Sequence, residues 1–216
     1  MTNFFQVKKK SKLSNARLGL INTSHGKINT PSFIFCGTKA TVKSVLPSQL
    51  KLARTQIILS NTYHLMLQPG PEVISKEGGL QSFTDWNGPM MTDSGGYQIF
   101  SLGYGSVSEE IKGKNNNAKR KSLIKITEDG ASFRNYINGD KVFLSPERSI
   151  ELQRDFGADL IFVLDECTPF NVSKKYTEKS MYMSHRWAAR CKNSFDSKFK
   201  KYNSTFGSSG KQSLYG

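Results

Sequence analysis

Cysteine is scarce in this 216-residue sequence, which contains only Cys36, Cys167 and Cys191, all far apart. An odd number at these separations excludes a disulfide framework and matches no metal-site spacing. We therefore expect free thiols in the cytoplasm and no metal ligands. No apolar run reaches the roughly 18 residues that a membrane-spanning helix needs. Residues 1–13 are polar and rich in lysine, unlike a signal peptide, and we expect no membrane partner.

Acidic residues are few, with 17 Asp and Glu against 31 Lys and Arg, so the net charge is +14. Scattered lysines that form a solvated surface would explain this charge, and so would attraction to a polyanion such as nucleic acid. Hydrophobic residues make up 37% of the chain, enough for a packed core. We predict a single domain over residues 1–216.

Short apolar runs that alternate with helical segments predict a parallel sheet with strands buried on both faces. The runs are residues 32–36, 56–60, 89–92 and 160–164, and another strand begins at 214–216. The helices are predicted at 47–54, 71–76, 146–156 and 175–200. A loose arm (1–15) and a hairpin (16–21 with 27–29) precede them. Strand-like pieces at 123–127, 131–136 and 141–144 follow a polar segment, 105–122, that we predict to be a flexible insertion.

Three of the apolar runs are followed by a polar side chain, namely Asn61, Asp93 and Asp165. In α/β folds the groups at the carboxyl ends of parallel strands converge on the ligand site. This pattern predicts that the three side chains lie at one edge of the sheet.

The segment 93–98 carries the most chemical information. Asp93 could accept or donate a proton, and Tyr97 offers a flat face to a planar ring. Gly95 and Gly96 allow the backbone to approach a ligand closely. The alternative is an ordinary strand–turn–helix link in which Asp93 caps the helix.

Asp165 and Glu166 directly follow five apolar residues, a costly place for two acids unless they are paired or functional. The two oxygens of a carboxylate match adjacent N–H donors on a guanine edge. A helix cap or a structural salt bridge is the alternative. Asn61 could orient a neighbouring carboxylate. We interpret His64 as a buried, hydrogen-bonded side chain and Cys36 as a packing residue.

Several short motifs follow one another along the chain. They are Thr30-Pro31-Ser32-Phe33, Ser60-Asn61-Thr62-Tyr63-His64-Leu65, Met91-Thr92-Asp93-Ser94-Gly95-Gly96-Tyr97-Gln98, Gly157-Ala158-Asp159, Asp165-Glu166-Cys167-Thr168-Pro169 and Ser184-His185-Arg186-Trp187. Together they resemble the tRNA-guanine transglycosylase, or queuine tRNA-ribosyltransferase, family of the bacterial type. The chain resembles the N-terminal part of that family.

The resemblance implies an α/β fold, a (β/α)8 TIM barrel with insertions that is incomplete in this chain, preceded by a small antiparallel β element. It implies that guanine at the wobble position of certain tRNAs is exchanged for a 7-deazaguanine of the preQ1 type, in queuosine biosynthesis. The exchange passes through a covalent ribosyl–enzyme. The implied partners are tRNA, the two bases and a second copy of the full-length protein.

Carried over by motif, Asp93 matches the general acid/base and Asn61 a pocket asparagine beside it. The remaining substrate-binding matches are Ser94, Gly95 and Gly96 in the base-pocket loop, Tyr97 stacking on the base, Asp165 reading its edge, and Cys167.

The family's nucleophilic aspartate, and its zinc site of three Cys and one His, have no match in these residues. We therefore expect this chain alone to be inactive and to hold no zinc. A non-catalytic subunit of the same fold that binds tRNA or an active partner remains an alternative. So does a carbohydrate-cleaving barrel enzyme that uses Asp93 and Asp165.

Overall fold

The computed structural model describes residues 4–104, 124–168, 172–197 and 212–216. The strands are β1 (Phe5–Lys10), β2 (Arg17–Thr23), β3 (Gly26–Thr30), β4 (Phe35–Cys36), β5 (Ile58–Ser60), β6 (Met90–Thr92), β7 (Lys125–Thr127), β8 (Gly130–Arg134), β9 (Lys141–Leu144), β10 (Leu160–Phe162) and β11 (Ser213–Tyr215). The helices are α1 (Pro47–Leu52), α2 (Thr62–Leu67), α3 (Pro71–Lys76), α4 (Leu80–Phe83), α5 (Gly96–Tyr104), α6 (Pro146–Phe156) and α7 (Lys174–Ser197). The predicted insertion at 105–122 lies outside the described residues.

A five-stranded sheet with the order β11-β10-β6-β5-β4 forms the centre of the fold. Each neighbouring pair in it is parallel. The predicted parallel sheet and the predicted final strand are therefore confirmed. The mixed α/β architecture is compatible with part of a TIM barrel, and closure into a barrel stays a prediction.

The central strands of this sheet are buried, because helices pack on one part of it and Ile28 of β3 packs against Met91 and Leu160. All three residues of β6 are buried, and Ile161 of β10 is fully inaccessible to solvent. The largest core cluster includes Leu65 of α2 together with Leu152 and Phe156 of α6. Strands that are covered on both sides have no solvent-facing side, which explains why their sequences are continuous apolar runs.

Helix α6 shows how local signals set an element. The Ser145 side chain accepts a hydrogen bond from the Arg148 backbone N–H at 3.1 Å, and Pro146 occupies the first turn. Gly157 ends the helix with φ of +76°, a conformation that glycine adopts at little cost. These bounds confirm the predicted helix.

Two antiparallel three-stranded sheets, β1-β2-β3 and β7-β8-β9, flank the parallel one. The prediction of a loose arm over residues 1–15 is wrong, because β1 pairs with β2 and Phe5 lies opposite Ile21. The Phe5 ring lies against Gly19, where a side chain would collide with it. Lysine dominates this strand, so its sequence shows no apolar run.

Short helices account for most of the remaining differences. Helices α2 and α4 lie in segments for which we predicted no helix, and α5 begins where a strand–turn–helix link was the alternative. Strands β4 and β5 are shorter than the apolar runs that contain them. Among the described residues, no helix has the length and apolar character needed to cross a membrane.

Candidate functional site

Asp93 and Asn61 meet because their strands are parallel neighbours in register. Ser60 pairs with Thr92, so the residues that follow β5 and β6 emerge at the same edge of the sheet. The Asn61 side-chain Nδ2 donates to Asp93 Oδ2 at 2.6 Å. The structure thus joins two of the three predicted strand-end side chains directly.

Two further donors hold the Asp93 carboxylate in one orientation. The Thr62 backbone N–H donates to Oδ1 at 2.7 Å, and Gln98 Nε2 of α5 donates to Oδ2 at 2.8 Å. A carboxylate has about four acceptor positions, so three donors leave one open for a ligand. Asp93 accepts from the first residue of α2 and does not cap α5 with its side chain. Gln98 belongs to one of the quoted motifs, but the sequence alone does not indicate that it contacts Asp93.

Asp165 lies on the other side of the same loop. Ser94 Oγ donates to Asp165 Oδ1 at 3.4 Å and accepts from the Gly96 backbone N–H at 3.2 Å. The Asp165 side chain is exposed, and none of the described salt bridges includes it. The structural salt bridge considered for Asp165 is therefore not formed among the described residues.

Glycine at position 96 allows this close approach. A Cβ there would lie 2.6 Å from the Asp165 backbone oxygen and 2.9 Å from its Oδ1. The neighbouring Gly95 has φ of +88°, where a side chain would be strained. Ser149 of α6 donates its hydroxyl to the Ser94 backbone oxygen at 2.8 Å and fixes the loop against the helix.

Cys167 is the second side chain that contacts the Asp165 carboxylate. Its thiol lies 3.6 Å from Asp165 Oδ2 and is positioned to donate to it. Burial, and then the nearby Asp165 carboxylate, raise the pKa of the Cys167 thiol to about 12. A thiol with this pKa is protonated at neutral pH, the form in which it donates to Asp165.

Cys36 and Tyr97 are both exposed. The packing role predicted for Cys36 is wrong, because its Sγ lies at the sheet edge, 3.9 Å from Asn61 Oδ1. Tyr97 is the second residue of α5 and is 51% exposed. Its ring lies 6.3 Å from the Phe100 ring, so its stacking on a base stays a prediction.

His64 is half-buried, but its Nδ1 has no hydrogen-bond partner among the described residues, contrary to our interpretation. Burial, and then the Lys39 ammonium, lower the pKa of His64 against the opposing Asp93 carboxylate. In the described part of the chain, no three His, Cys, Asp or Glu side chains are grouped to hold a metal ion.

Polar side chains that converge at the carboxyl ends of neighbouring parallel strands define an α/β ligand site. The structure brings together Asn61, Asp93, Ser94, Gly96, Asp165 and Cys167.

Residues 11–210 match the model of the queuine tRNA-ribosyltransferase family. The chain belongs to that family. It is 45% identical over 192 residues to a queuine tRNA-ribosyltransferase of Roseiflexus sp. (strain RS-1), covering 88% of this chain and 48% of the relative. Identity is 45% over 191 residues with that of Protochlamydia amoebophila (88% and 49% covered). It is 46% over 183 residues with that of Staphylococcus aureus strain JH9 (85% and 44% covered). The chain spans about half the length of these curated relatives.

Proposed function

We propose that this chain carries the base-binding part of a tRNA-guanine transglycosylase. The enzyme replaces guanine at the wobble position of certain tRNAs with a 7-deazaguanine, a step in queuosine biosynthesis. The observation that carries the proposal is the Asp93 carboxylate, held by three N–H donors across the Ser94–Gly96 loop from Asp165.

Asp165 recognises the base. Its two oxygens suit the ring N–H and exocyclic amino group that guanine and 7-deazaguanine present side by side. The carboxylate is exposed, and its hydrogen-bond donors among the described residues are Ser94 Oγ and Cys167 Sγ, at 3.4 and 3.6 Å. A base can displace these long contacts. The Gly95–Gly96 backbone lets the ring lie against the loop, and Tyr97 stacks on its face.

Asp93 transfers the proton that the exchange of bases requires. The bond between ribose C1′ and the guanine nitrogen breaks while C1′ bonds to a carboxylate oxygen, and the departing base takes up a proton. The incoming base then loses a proton and displaces that carboxylate. Asp93 is the general acid and base for these transfers, because Asn61 and Gln98 hold its orientation.

The attacking aspartate of the family has no match among the motifs of this chain. We therefore expect the chain alone to bind the base without exchanging it. Zinc binding, tRNA binding and homodimer formation by the complete protein are further parts of the proposal.

Titration of the purified chain with guanine, followed by intrinsic fluorescence, tests the base site. We expect quenching with guanine and none with ribose or glucose. Asp165→Asn should bind guanine about 10-fold or more weakly, because an amide N–H would face a donor on the base. Asp140→Asn, a change in the exposed β8–β9 turn, is the matched control.

Equal quenching by sugars would favour a carbohydrate-cleaving enzyme. Binding of tRNA without any binding of guanine would favour the non-catalytic subunit. Incorporation of labelled guanine into tRNA by the chain alone would refute the expectation that it is inactive.

A further inference from the structure

A cluster of rings and one ammonium group adjoins Asp93 but takes no part in the chemistry described above. Tyr136, in the turn between β8 and β9, lies 6.4 Å from Tyr63 with the rings 22° from parallel. The His64 ring meets the Tyr136 ring edge-on, at 6.2 Å and 72°. The Lys39 ammonium lies 5.6 Å from the centre of the Tyr136 ring.

The cluster is backed by the core and open to solvent. Tyr63 is fully buried, whereas Tyr136 is 51% exposed. Lys39 is exposed and takes part in none of the described salt bridges. A supported aromatic ring beside an ammonium without a carboxylate partner suits a ligand that combines a flat ring with a negative charge.

The cluster and the base site share one stretch of chain. The Thr62 backbone N–H holds Asp93, and the next two residues, Tyr63 and His64, are the ring partners of Tyr136. The Asp93 carboxylate is close enough to affect the pKa of His64. A ligand on the Tyr136 ring would therefore lie on the Asp93 side of the base site.

We propose that Lys39, His64 and Tyr136 form a nucleotide subsite that binds a residue flanking the exchanged guanine in single-stranded RNA. The flanking base stacks on Tyr136 and its phosphate pairs with Lys39. This inference rests on the proposed function, which makes RNA the substrate. The net charge of +14 favours the same polyanion.

In the unbound protein the Lys39 ammonium covers the Tyr136 ring, so an incoming base must displace it. An exposed cation–π contact is weaker than the stacking of a base on an aromatic side chain. The displaced ammonium then pairs with the phosphate. Burial and then Lys39 lower the pKa of His64 against the opposing Asp93 carboxylate, which favours the neutral ring. The His64 ring supports the Tyr136 ring edge-on, and its Nδ1, which is buried from solvent, has no partner among the described residues.

The test measures binding of a short, fluorescently labelled oligouridylate to the purified chain, because this RNA lacks guanine and does not probe the base site. Tyr136→Ala should weaken binding by about 5- to 100-fold, whereas Tyr136→Phe, which keeps the ring, should bind like the parent. Lys39→Ala should reduce the slope of log affinity against log salt by about 0.7.

Tyr182 is a matched control, since it is also 51% exposed and its ring meets the His185 ring edge-on at 6.2 Å. Tyr182→Ala, and Lys27→Ala on exposed β3, should leave RNA binding unchanged. Equal losses in these controls would overturn the subsite. So would Lys39 and Tyr136 variants that bind like the parent.

Guanine titrations of the same variants separate this inference from the proposed function. We expect Lys39→Ala and Tyr136→Ala to keep the parent's guanine affinity. If the parent binds no guanine but Tyr136→Ala still loses RNA affinity, the proposed function fails, and the cluster binds a nucleotide of single-stranded RNA without the flanking role. If guanine binds and the RNA affinity of every variant matches the parent, the subsite fails alone.

Discussion

Removing the Asp93 carboxylate should destabilise the chain in proportion to the donors that it leaves without an acceptor. In Asp93→Ala the three N–H donors from Asn61, Thr62 and Gln98 lose their partner. An unsatisfied buried donor costs about 1–3 kcal/mol, and water can enter the vacated space. We therefore expect a total loss of about 2–4 kcal/mol, or a Tm lower by about 4–16 °C.

Asp93→Asn should cost less, because its neighbours can adapt. The new amide oxygen can accept from the Thr62 N–H, and its NH₂ then faces the Asn61 and Gln98 amides. Gln98 Oε1 has no partner among the described residues, so that amide can turn over without losing a bond. Turning Asn61 forfeits only the weak contact from Cys36. We expect a loss of about 1 kcal/mol.

Thermal and urea unfolding of the parent and both variants, followed by circular dichroism, measure this difference. Asp140→Asn should stay within about 0.5 kcal/mol of the parent, since Asp140 lies in an exposed turn. Equal losses for the alanine and asparagine variants would refute the reasoning that the donors dominate. In a complete enzyme Asp93→Asn should abolish or strongly slow base exchange, since an amide cannot relay the proton.

Two further changes test the packing of Asp165 and the pH dependence of the fold. Gly96→Ala should cost about 1–3 kcal/mol and weaken guanine binding, since its Cβ would lie 2.6 Å from the Asp165 backbone oxygen; unchanged guanine affinity would contradict this. The pKa of His25 is raised, chiefly by its 2.9 Å hydrogen bond to buried Asp159. Protonated His25 therefore stabilises the fold fully below the pKa of the unfolded state, and this stabilisation is lost as the pH rises through the higher pKa of the folded state. In urea unfolding, His25→Asn should therefore lower the free energy of unfolding by about 0.5–1 kcal/mol more at about pH 6 than at about pH 8.5. The expected difference is this small because the His25 side chain is 35% exposed and solvent screens the ion pair. The same loss at both pH values would show that the ion pair adds nothing.

Elements with strong local signals could be predicted from the sequence. Helix α6 begins and ends where its capping serine and its terminal glycine indicate, because both act through backbone groups of the same segment. The strands of the parallel sheet were recognisable as continuous apolar runs. The polar residues after β5 and β6 followed from the same reasoning, since parallel strands end at a common edge.

Partners from distant segments could not be predicted in this way. β1 is lysine-rich, and its strand conformation depends on pairing with β2. Gln98 is five positions from Asp93, but its amide meets that carboxylate only through the path of the loop between β6 and α5. The donor pattern around Asp93 therefore needs the helix direction as well as the sequence.

The residue types at the base site, two carboxylates and a glycine-rich loop, are properties of the amino-acid sequence and already indicated the family. The tertiary structure decided that Ser94 of this loop donates a hydrogen bond to Asp165. It also decided that the Lys39 ammonium lies over the ring of Tyr136, 97 positions away in the chain. Contacts between segments far apart in the chain depend on strand register and loop path. Those are settled by the packing of the whole fold and not by any local pattern.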